Sequence, residues 1–395
     1  MAGPLSGVKI LDLSRLLPGP FCTMLLADMG ADVVKVEDPA GGDYLRWTPP
    51  LMADMSASFH ALNRNKKSIS LNLKHPRGAS LLLELVKKFD VLLEQFRPGV
   101  MDRLGAGYEM ARKANRRIVY CSLSGYGATG PYRDRAGHDL NYMAIAGAAS
   151  FTGPKGGPPV VPAVQVGDIG GGALMAAVGI LAALNHRDRT GEGQFVDVSM
   201  TDGILAWITH AAAVYFAEGG RQEPRPGETR LNGLNLCYRI YETKNGRHVT
   251  MGALEPKFWE AFCNAVGKPH LIAQQYVEGP EQEASAREIE ALFRSKTLQE
   301  WTDFCSDKDL MIEPVLTFGE AFSHPQALAR QMVIEVDDPR TGPQRQIGFP
   351  VKFSATPGEI RTTAPELGQH TEEVLVAELG YSRDMIAELR DEKVI

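Results

Sequence analysis

Short β-branched runs alternate with amphipathic stretches through the first third of the chain. Val8–Leu13, Asp32–Glu37, Ser68–Leu73, Val91–Phe96 and Arg117–Leu123 read as strands, each an apolar run of strand length bounded by polar or turn-forming residues. Between them, Phe21–Met29, Arg77–Phe89 and Met101–Ala114 place apolar residues at helical spacing. Strand and helix in alternation build a parallel sheet, so the pattern predicts an α/β, Rossmann-like domain. Its ligand crevice is expected beyond the carboxyl ends of the strands, where Ser14–Pro20, Glu37–Asp43 and Gln95–Gly99 cluster.

Further along, a helix begins near Ile169, followed by a strand at Phe195–Met200 and a long apolar helix at Asp202–Phe216. The Pro/Gly-containing polar segment Gly219–Gly233 then breaks the pattern. A second, α+β region opens with strands Leu236–Glu242 and His248–Ala253, joined by the Asn-Gly turn at Lys244–Arg247. Helices at Lys257–Val266, Ala284–Ser295 and Leu298–Cys305 follow, then extended chain over Gln331–Phe353 and short helices at Thr371–Leu379 and Ser382–Arg390. The expected division is a large domain over 1–205 completed by 335–395, a linker over 206–235, and a small domain with its return linker over 236–334.

A chain of 395 residues has room for such a division, because single cores stop growing at about 250–300 residues. The net charge of -6 argues against a nucleic-acid-binding surface. The five cysteines, Cys22, Cys121, Cys237, Cys263 and Cys305, are odd in number and lack any Cys-x-x-Cys pair. They read as the reduced thiols of a cytoplasmic protein, and the start of the chain lacks the pattern of a secretory signal. The apolar run Ile169–Leu184 falls short of the ~20 residues of a bilayer span and reads as a helix buried within the protein, with no membrane partner.

Two glycine-rich stretches could carry chemistry. Gly125-Tyr-Gly-Ala-Thr-Gly130 has the spacing of a dinucleotide fingerprint and follows a strand, but no apolar helix follows to carry a pyrophosphate, so a nicotinamide or flavin site is not expected. Gly137–Gly172 places His138, next to Asp139, at one end and Asp168, among glycines, at the other: an imidazole and a carboxylate that could work as an acid/base pair. Each also has a structural explanation, His138 as a hydrogen-bonded loop residue and Asp168 as a helix N-cap. Glu255, ahead of Pro256 in Gly-Ala-Leu-Glu-Pro-Lys-Phe-Trp, is likewise explicable as a cap.

These segments, with LDLSRLLPGPFCTMLLADMGADVVKVEDPAGGD, NRNKKSISLNLK, EQFRPGVMDRLG, the run at Arg189 and the late LGQHTEEVL, resemble the family III CoA-transferases (CaiB/BaiF) over essentially the whole chain. GHDLNY, the Gly-Asp pair at Asp168 and GALEPKFW are similar to the α-methylacyl-CoA racemase branch. The resemblance implies that His138 and Asp168 are the proton-transfer residues, that Glu255 supports His138, and that the substrate is an acyl-CoA thioester, with no metal and no cofactor beyond CoA itself. Inversion of a 2-methyl centre needs a base on one face of the α-carbon and an acid on the other. The enolate between them needs donors, which N–H groups in the glycine-rich turn at Asp168 are expected to supply.

The same resemblance assigns CoA contacts to Leu16, Leu17, Pro18, Leu71, Lys74, Gln95, Phe96, Arg97 and Arg103. Where the family frequently has Arg after the acidic residue of the second strand, this chain has Asp38, which leaves Lys66, Lys67 or Arg97 to meet the nucleotide. The acyl pocket is expected to involve Tyr142, Met143, Leu236 and Trp259. The alternative activity is CoA transfer between carboxylic acids, with Asp168 as a nucleophile forming an anhydride; a third reading is a catalytically silent CoA-binding subunit. The family also implies an interlocked homodimer.

Overall fold

The computed structural model describes residues 3–395. Six parallel strands form the main sheet: β1 (Lys9–Leu13), β2 (Asp32–Glu37), β3 (Lys66–Ser70), β4 (Val91–Glu94), β5 (Val119–Ser124) and β6 (Phe195–Ser199), in the order β3-β2-β1-β4-β5-β6. This is the doubly wound Rossmann order, whose connection reverses between β1 and β4. Covered on both faces, the central strands read as near-continuous apolar runs, with Ile10, Leu11, Val33, Val34, Leu92 and Leu93 almost wholly buried. On one face Leu82 and Leu85 of helix Pro76–Val86 share a core with Val374 and Leu389 of the C-terminal helices Thr371–Leu379 and Arg383–Asp391. On the other lie helices Pro18–Asp28 and Met175–Thr190.

Three elements differ from the sequence expectation. The third strand is Lys66–Ser70 rather than Ser68–Leu73, because the Lys66 ammonium is buried against Asp12 and a charged run conceals the strand start. The helix expected at Met101–Ala114 is split into Val100–Arg103 and Tyr108–Ala114 by a turn through Gly105, at φ 79. The helix expected at Asp202–Phe216 is likewise two, Met200–Trp207 and Thr209–Ala217, parting where the β-branched Ile208 and Thr209 adjoin.

The helical run Val166–Thr190 is 25 residues long and apolar enough by composition to cross a membrane, yet half of its most apolar window is buried inside the protein. It opens with a wide π-helical turn over Val166–Leu174 before continuing as the α-helix Met175–Thr190.

The chain separates into two compact units. One comprises Met1–Ala146, Ala163–Ile208 and Pro325–Ile395; the other, Gly147–Pro162 and Thr209–His324. In the second, β7 (Tyr238–Glu242), β8 (His248–Gly252) and β9 (Ile312–Pro314) form an antiparallel sheet in the order β9-β8-β7. The Asn245-Gly246 turn forms as expected, with Gly246 at φ 71. Trp259, Phe262, Phe293 and Trp301 fill its core, and both indole N–H groups find carbonyl acceptors, Leu271 and Phe293, at 2.9 Å. Asn232 ties Gly147–Pro162 into this unit by donating to the Phe151 carbonyl at 3.1 Å. A separate hairpin, β10 (Val333–Asp338) and β11 (Gly342–Ile347), occupies the extended region after it.

Candidate active site

β5 ends at Ser124, and the loop beyond it is shaped by one aromatic ring. The Tyr142 hydroxyl donates to the Gly137 carbonyl, and its ring lies so close to Gly125 that a Cβ there would sit 2.3 Å from it. Tyr126 packs edge-on against the same ring at 5.2 Å. The Gly125–Gly130 fingerprint thus accommodates Tyr142 and leads into no helix, as expected. Of the residues expected around the acyl group, Tyr142, Met143, Leu236 and Trp259 are all at most 6% exposed; they are core, and Leu236 and Trp259 belong to the packed interior of the second unit. Their apolar identity suited a pocket wall and a core equally.

His138 ends this loop as the N-cap of helix Asp139–Ile145. Its backbone N–H donates to the Asn141 Oδ1 at 3.0 Å, and its carbonyl accepts from the Asn141 N–H at 2.8 Å. The imidazole itself is exposed, at the capping box that His138 and Asn141 form at the start of the helix.

Asp168 lies in the first turn of the π-helix. Gly170, Gly171 and Gly172 leave this turn without side chains, and helix Met200–Trp207 packs directly on it: a Cβ on Gly203 would fall 2.2 Å from the Gly171 carbonyl oxygen. π-Turns inside helices are frequently found at functional sites. The Asp168 carboxylate caps no helix and is partly buried; burial, and then the neighbouring Asp139 carboxylate, raise its pKa to about 6, against the opposing pull of His138. His138 and Asp168 are therefore brought within electrostatic reach of each other. Of the N–H groups in the turn expected to supply enolate donors, that of Asp168 is already taken, bonded to the Asp139 Oδ1 at 2.9 Å. The amides of Gly167, Asp139 and Leu140 have no partner among the described residues.

Glu255 stands at the N-cap of helix Pro256–Ala265 in the second unit, but its side chain accepts no capping bond. The carboxylate is exposed and unpaired among the described residues, so capping does not account for it.

At the switch point of the main sheet, a cavity of about 240 Å³ opens between the carboxyl ends of β1, β2, β3 and β4. Its lining includes Leu13, Val36, Leu71, Lys74 and Phe96, bringing together three of the residues assigned to CoA. Beside it, Leu16–Pro18 leave β1 over a buried charge network. Lys35 Nζ lies 3.1 Å from Asp43 and donates to the Ser14 carbonyl at 2.8 Å, while Asp43 accepts from the Leu16 N–H at 3.2 Å and holds that residue at φ 62. Gln95 Oε1 accepts from the Gly19 N–H at 3.1 Å, fixing the start of helix Pro18–Asp28. Arg97 lines a neighbouring cavity of about 290 Å³, and the Arg103 guanidinium lies 3.5 Å from where a Cβ on Gly99 would be. Both arginines are exposed and without an ion-pair partner among the described residues.

Lys66 and Lys67 do not join this group. Lys66 is 2% exposed and its ammonium is spent on Asp12, the Pro20 carbonyl and Asn63; Lys67 pairs with Asp32 and Glu373 beside the start of β2. The cation that sequence reasoning missed is Arg15, which lines the switch-point cavity beside Asp38 and stacks over Phe96 at 5.4 Å. Its signal was position, a charge directly after β1 at the ligand end of the sheet.

Known proteins share the sequence and the fold of this chain. The pattern of CoA-transferase family III matches residues 5–371. An acyl-CoA transferase of Fusarium pseudograminearum is 38% identical, covering 100% of this chain and 88% of its own length. Human alpha-methylacyl-CoA racemase is 37% identical over 99% of this chain and 97% of its own, and mouse succinyl-CoA:glutarate CoA-transferase 36% over 98% and 89%. Among solved structures, a CAIB/BAIF family protein from Brucella suis superposes with a TM-score of 0.83 at 28% identity, covering 96% of this chain and 100% of that one. With the match spanning nearly the whole chain and the six-stranded parallel sheet shared, the protein belongs to the family III CoA-transferases, an enzyme family that includes both transferases and a racemase.

Proposed function

We propose that the protein is a racemase or epimerase of 2-methyl-branched acyl-CoA thioesters, with His138 and Asp168 as the proton-transfer pair. The observation that carries this reading is the Asp168 carboxyl, raised to about 6 within electrostatic reach of the exposed His138 imidazole. A carboxyl so placed gives and takes a proton near neutrality, which proton transfer requires. A carboxylate nucleophile must be ionised to attack, and a raised pKa does not favour that form.

In the forward direction one of the pair removes the α-proton, the negative charge passes to the thioester oxygen as an enolate, and the other returns a proton to the opposite face. In reverse the roles exchange. The unpaired amides of Gly167, Asp139 and Leu140 are the donors near at hand for the enolate oxygen, each worth up to about 3–4 kcal/mol in such a role. CoA is held at the switch point by Leu16, Leu17, Pro18, Leu71, Lys74, Gln95 and Phe96, with Arg97 and Arg103 for its phosphates. We read the protein as an interlocked homodimer in which Glu255 of one copy supports His138 of the other; the helix Thr209–Ala217, apolar yet with no buried residue, leaves surface for such a partner.

The transferase alternative is favoured by the transferases among the relatives. In it the Asp168 carboxylate attacks the thioester carbonyl and CoA leaves as the thiolate. The thiolate then attacks the Asp168 carbonyl of the anhydride and releases the donor acid. A second carboxylate displaces CoA from this aspartyl thioester to form a new anhydride, whose acyl carbonyl the thiolate attacks to give the new acyl-CoA and free Asp168. Incubation with a 2-methylacyl-CoA in deuterated water without an acceptor acid separates the two. α-Deuterium uptake is expected; no uptake, with CoA transfer once carboxylates are added, would overturn the racemase. His138→Ala should cut uptake by roughly 10²–10⁴-fold, whereas a transferase would largely survive it.

A further inference from the structure

The Asp139 carboxylate has no role in the reaction proposed above, where only the main-chain amide of this residue is used, yet it bridges the two halves of the site. It belongs to the first turn of helix Asp139–Ile145, and its Oδ1 accepts the Asp168 N–H at 2.9 Å across a sequence gap of 29 residues. The contact depends on Gly167, where a Cβ would lie only 3.1 Å from that oxygen. The bond joins the element that carries His138 to the π-turn that carries Asp168. It also sets a second carboxylate against the reactive one in a partly buried place, an arrangement costly enough to call for a return in function.

We propose that Asp139 is a positioning residue for Asp168: its carboxylate holds the main chain of the π-turn in register with His138 and supplies the negative charge beside which the Asp168 carboxyl works. This rests on the proton-transfer reading of Asp168. Burial and the Asp139 charge both favour the protonated form of Asp168, and His138 opposes them. From helix Asp139–Ile145 and its cap, the groups facing Asp168 are Asp139, His138 and the Tyr142 phenol. The other neighbouring elements bring charges that are engaged elsewhere: Asp28 of helix Pro18–Asp28 is bound to Arg64, and Asp202 of helix Met200–Trp207 acts on Asp197. Asp139 is thus the carboxylate that acts on Asp168.

The substitutions Asp139→Asn and Asp139→Ala separate the two contributions. The amide keeps an acceptor for the Asp168 N–H and loses the charge; alanine loses both. In protein labelled with ¹³C at aspartate carboxyls, the Asp168 resonance is the one missing from Asp168→Asn. Its titration midpoint is expected to fall by at least about half a unit in Asp139→Asn, a readout that needs no turnover. In the deuterium-uptake assay the acid limb of kcat/KM should move down with it. Asp139→Ala should lose tenfold or more in kcat with KM within about twofold, and Asp139→Asn should recover most of that loss.

An unchanged Asp168 midpoint in Asp139→Asn overturns the proposal, as does an Asp139→Ala enzyme with the parent's kcat and pH profile. Should Asp139→Ala fail to fold, the midpoint and pH limb of Asp139→Asn decide alone. If the midpoint moves but the parent protein exchanges no α-proton, it is the racemase reading that fails and not the coupling of the two carboxyls.

Discussion

A carboxyl held at a raised pKa is a destabilising group wherever it must ionise, and Asp168 illustrates the consequence. Its native pKa of about 6 lies above the 3.8 of a free aspartate, so the folded state holds the proton more tightly than the unfolded one. The stability from that proton is fully present below about pH 3.8 and is lost as pH rises through about 6. At pH 7.5, Asp168→Asn should therefore stabilise the protein, by about 1 kcal/mol after allowing for solvent at a partly buried group, while abolishing turnover. The gain should disappear towards pH 4. Urea unfolding at the two pH values measures it, and a variant less stable than the parent at pH 7.5 would show that the carboxylate is not under strain. At this scale the sequence was half legible. His138, Asp168 and Glu255 stood out as residue types beside glycines and prolines, and the cap roles that competed for Asp168 and Glu255 fail, because Asp168 lies inside the first turn and the Glu255 side chain makes no capping bond. The Asp139 bridge could not be read, since it depends on where two segments far apart in sequence come to rest.

The elements that carry the site were legible to different degrees for one physical reason. Strands of a parallel sheet are buried on both faces, so β1, β2, β4 and β5 announced themselves as apolar runs. A π-turn differs from an α-turn in hydrogen bonding and not in hydrophobic pattern, so the geometry around Asp168 was hidden inside what read as an ordinary helix. What the structure adds is the packing beside it, where Gly171 meets Gly203 backbone to backbone. Because the neighbour is main chain, it cannot yield to an added methyl. Gly203→Ala should cost about 1–3 kcal/mol by overpacking and, by displacing the turn that carries Asp168, lower turnover by tenfold or more. Denaturant midpoints and deuterium uptake on the same variant test both parts. Parent-like stability and activity would mean that the helices separate freely and the π-turn does not depend on this contact.

Across the whole molecule, the charges that looked like ligands for a nucleotide divide into those that bind outward and those that hold the fold. The motif Asn-Arg-Asn-Lys-Lys is the clearest instance: as a string it is a cationic patch, but Asn63, Arg64, Asn65 and Lys66 are all at most 8% exposed. Arg64 bonds Asp28 at 2.7 Å and donates to the Ile347 carbonyl at 2.7 Å, while Asn65 donates to the Glu359 carbonyl at 2.7 Å. These bonds tie the returning C-terminal segment to the first helix, which is why a chain with an intervening second unit still closes one Rossmann core. Asp28 is itself strained by burial, its pKa raised in spite of Arg64. Removing the cation leaves that carboxylate buried and unpaired, so Arg64→Ala should cost about 3–5 kcal/mol. Removing both charges with apolar replacements, Arg64→Met with Asp28→Leu, should recover much of the loss, because the buried pair contributes less as an attraction than as a mutual neutralisation. A urea-unfolding double-mutant cycle gives the answer: a single-mutant loss below about 1 kcal/mol would mean that the segment is held by packing alone, and a double mutant as weak as the single would mean that the hydrogen bonds to the returning chain matter more than the neutralised charge.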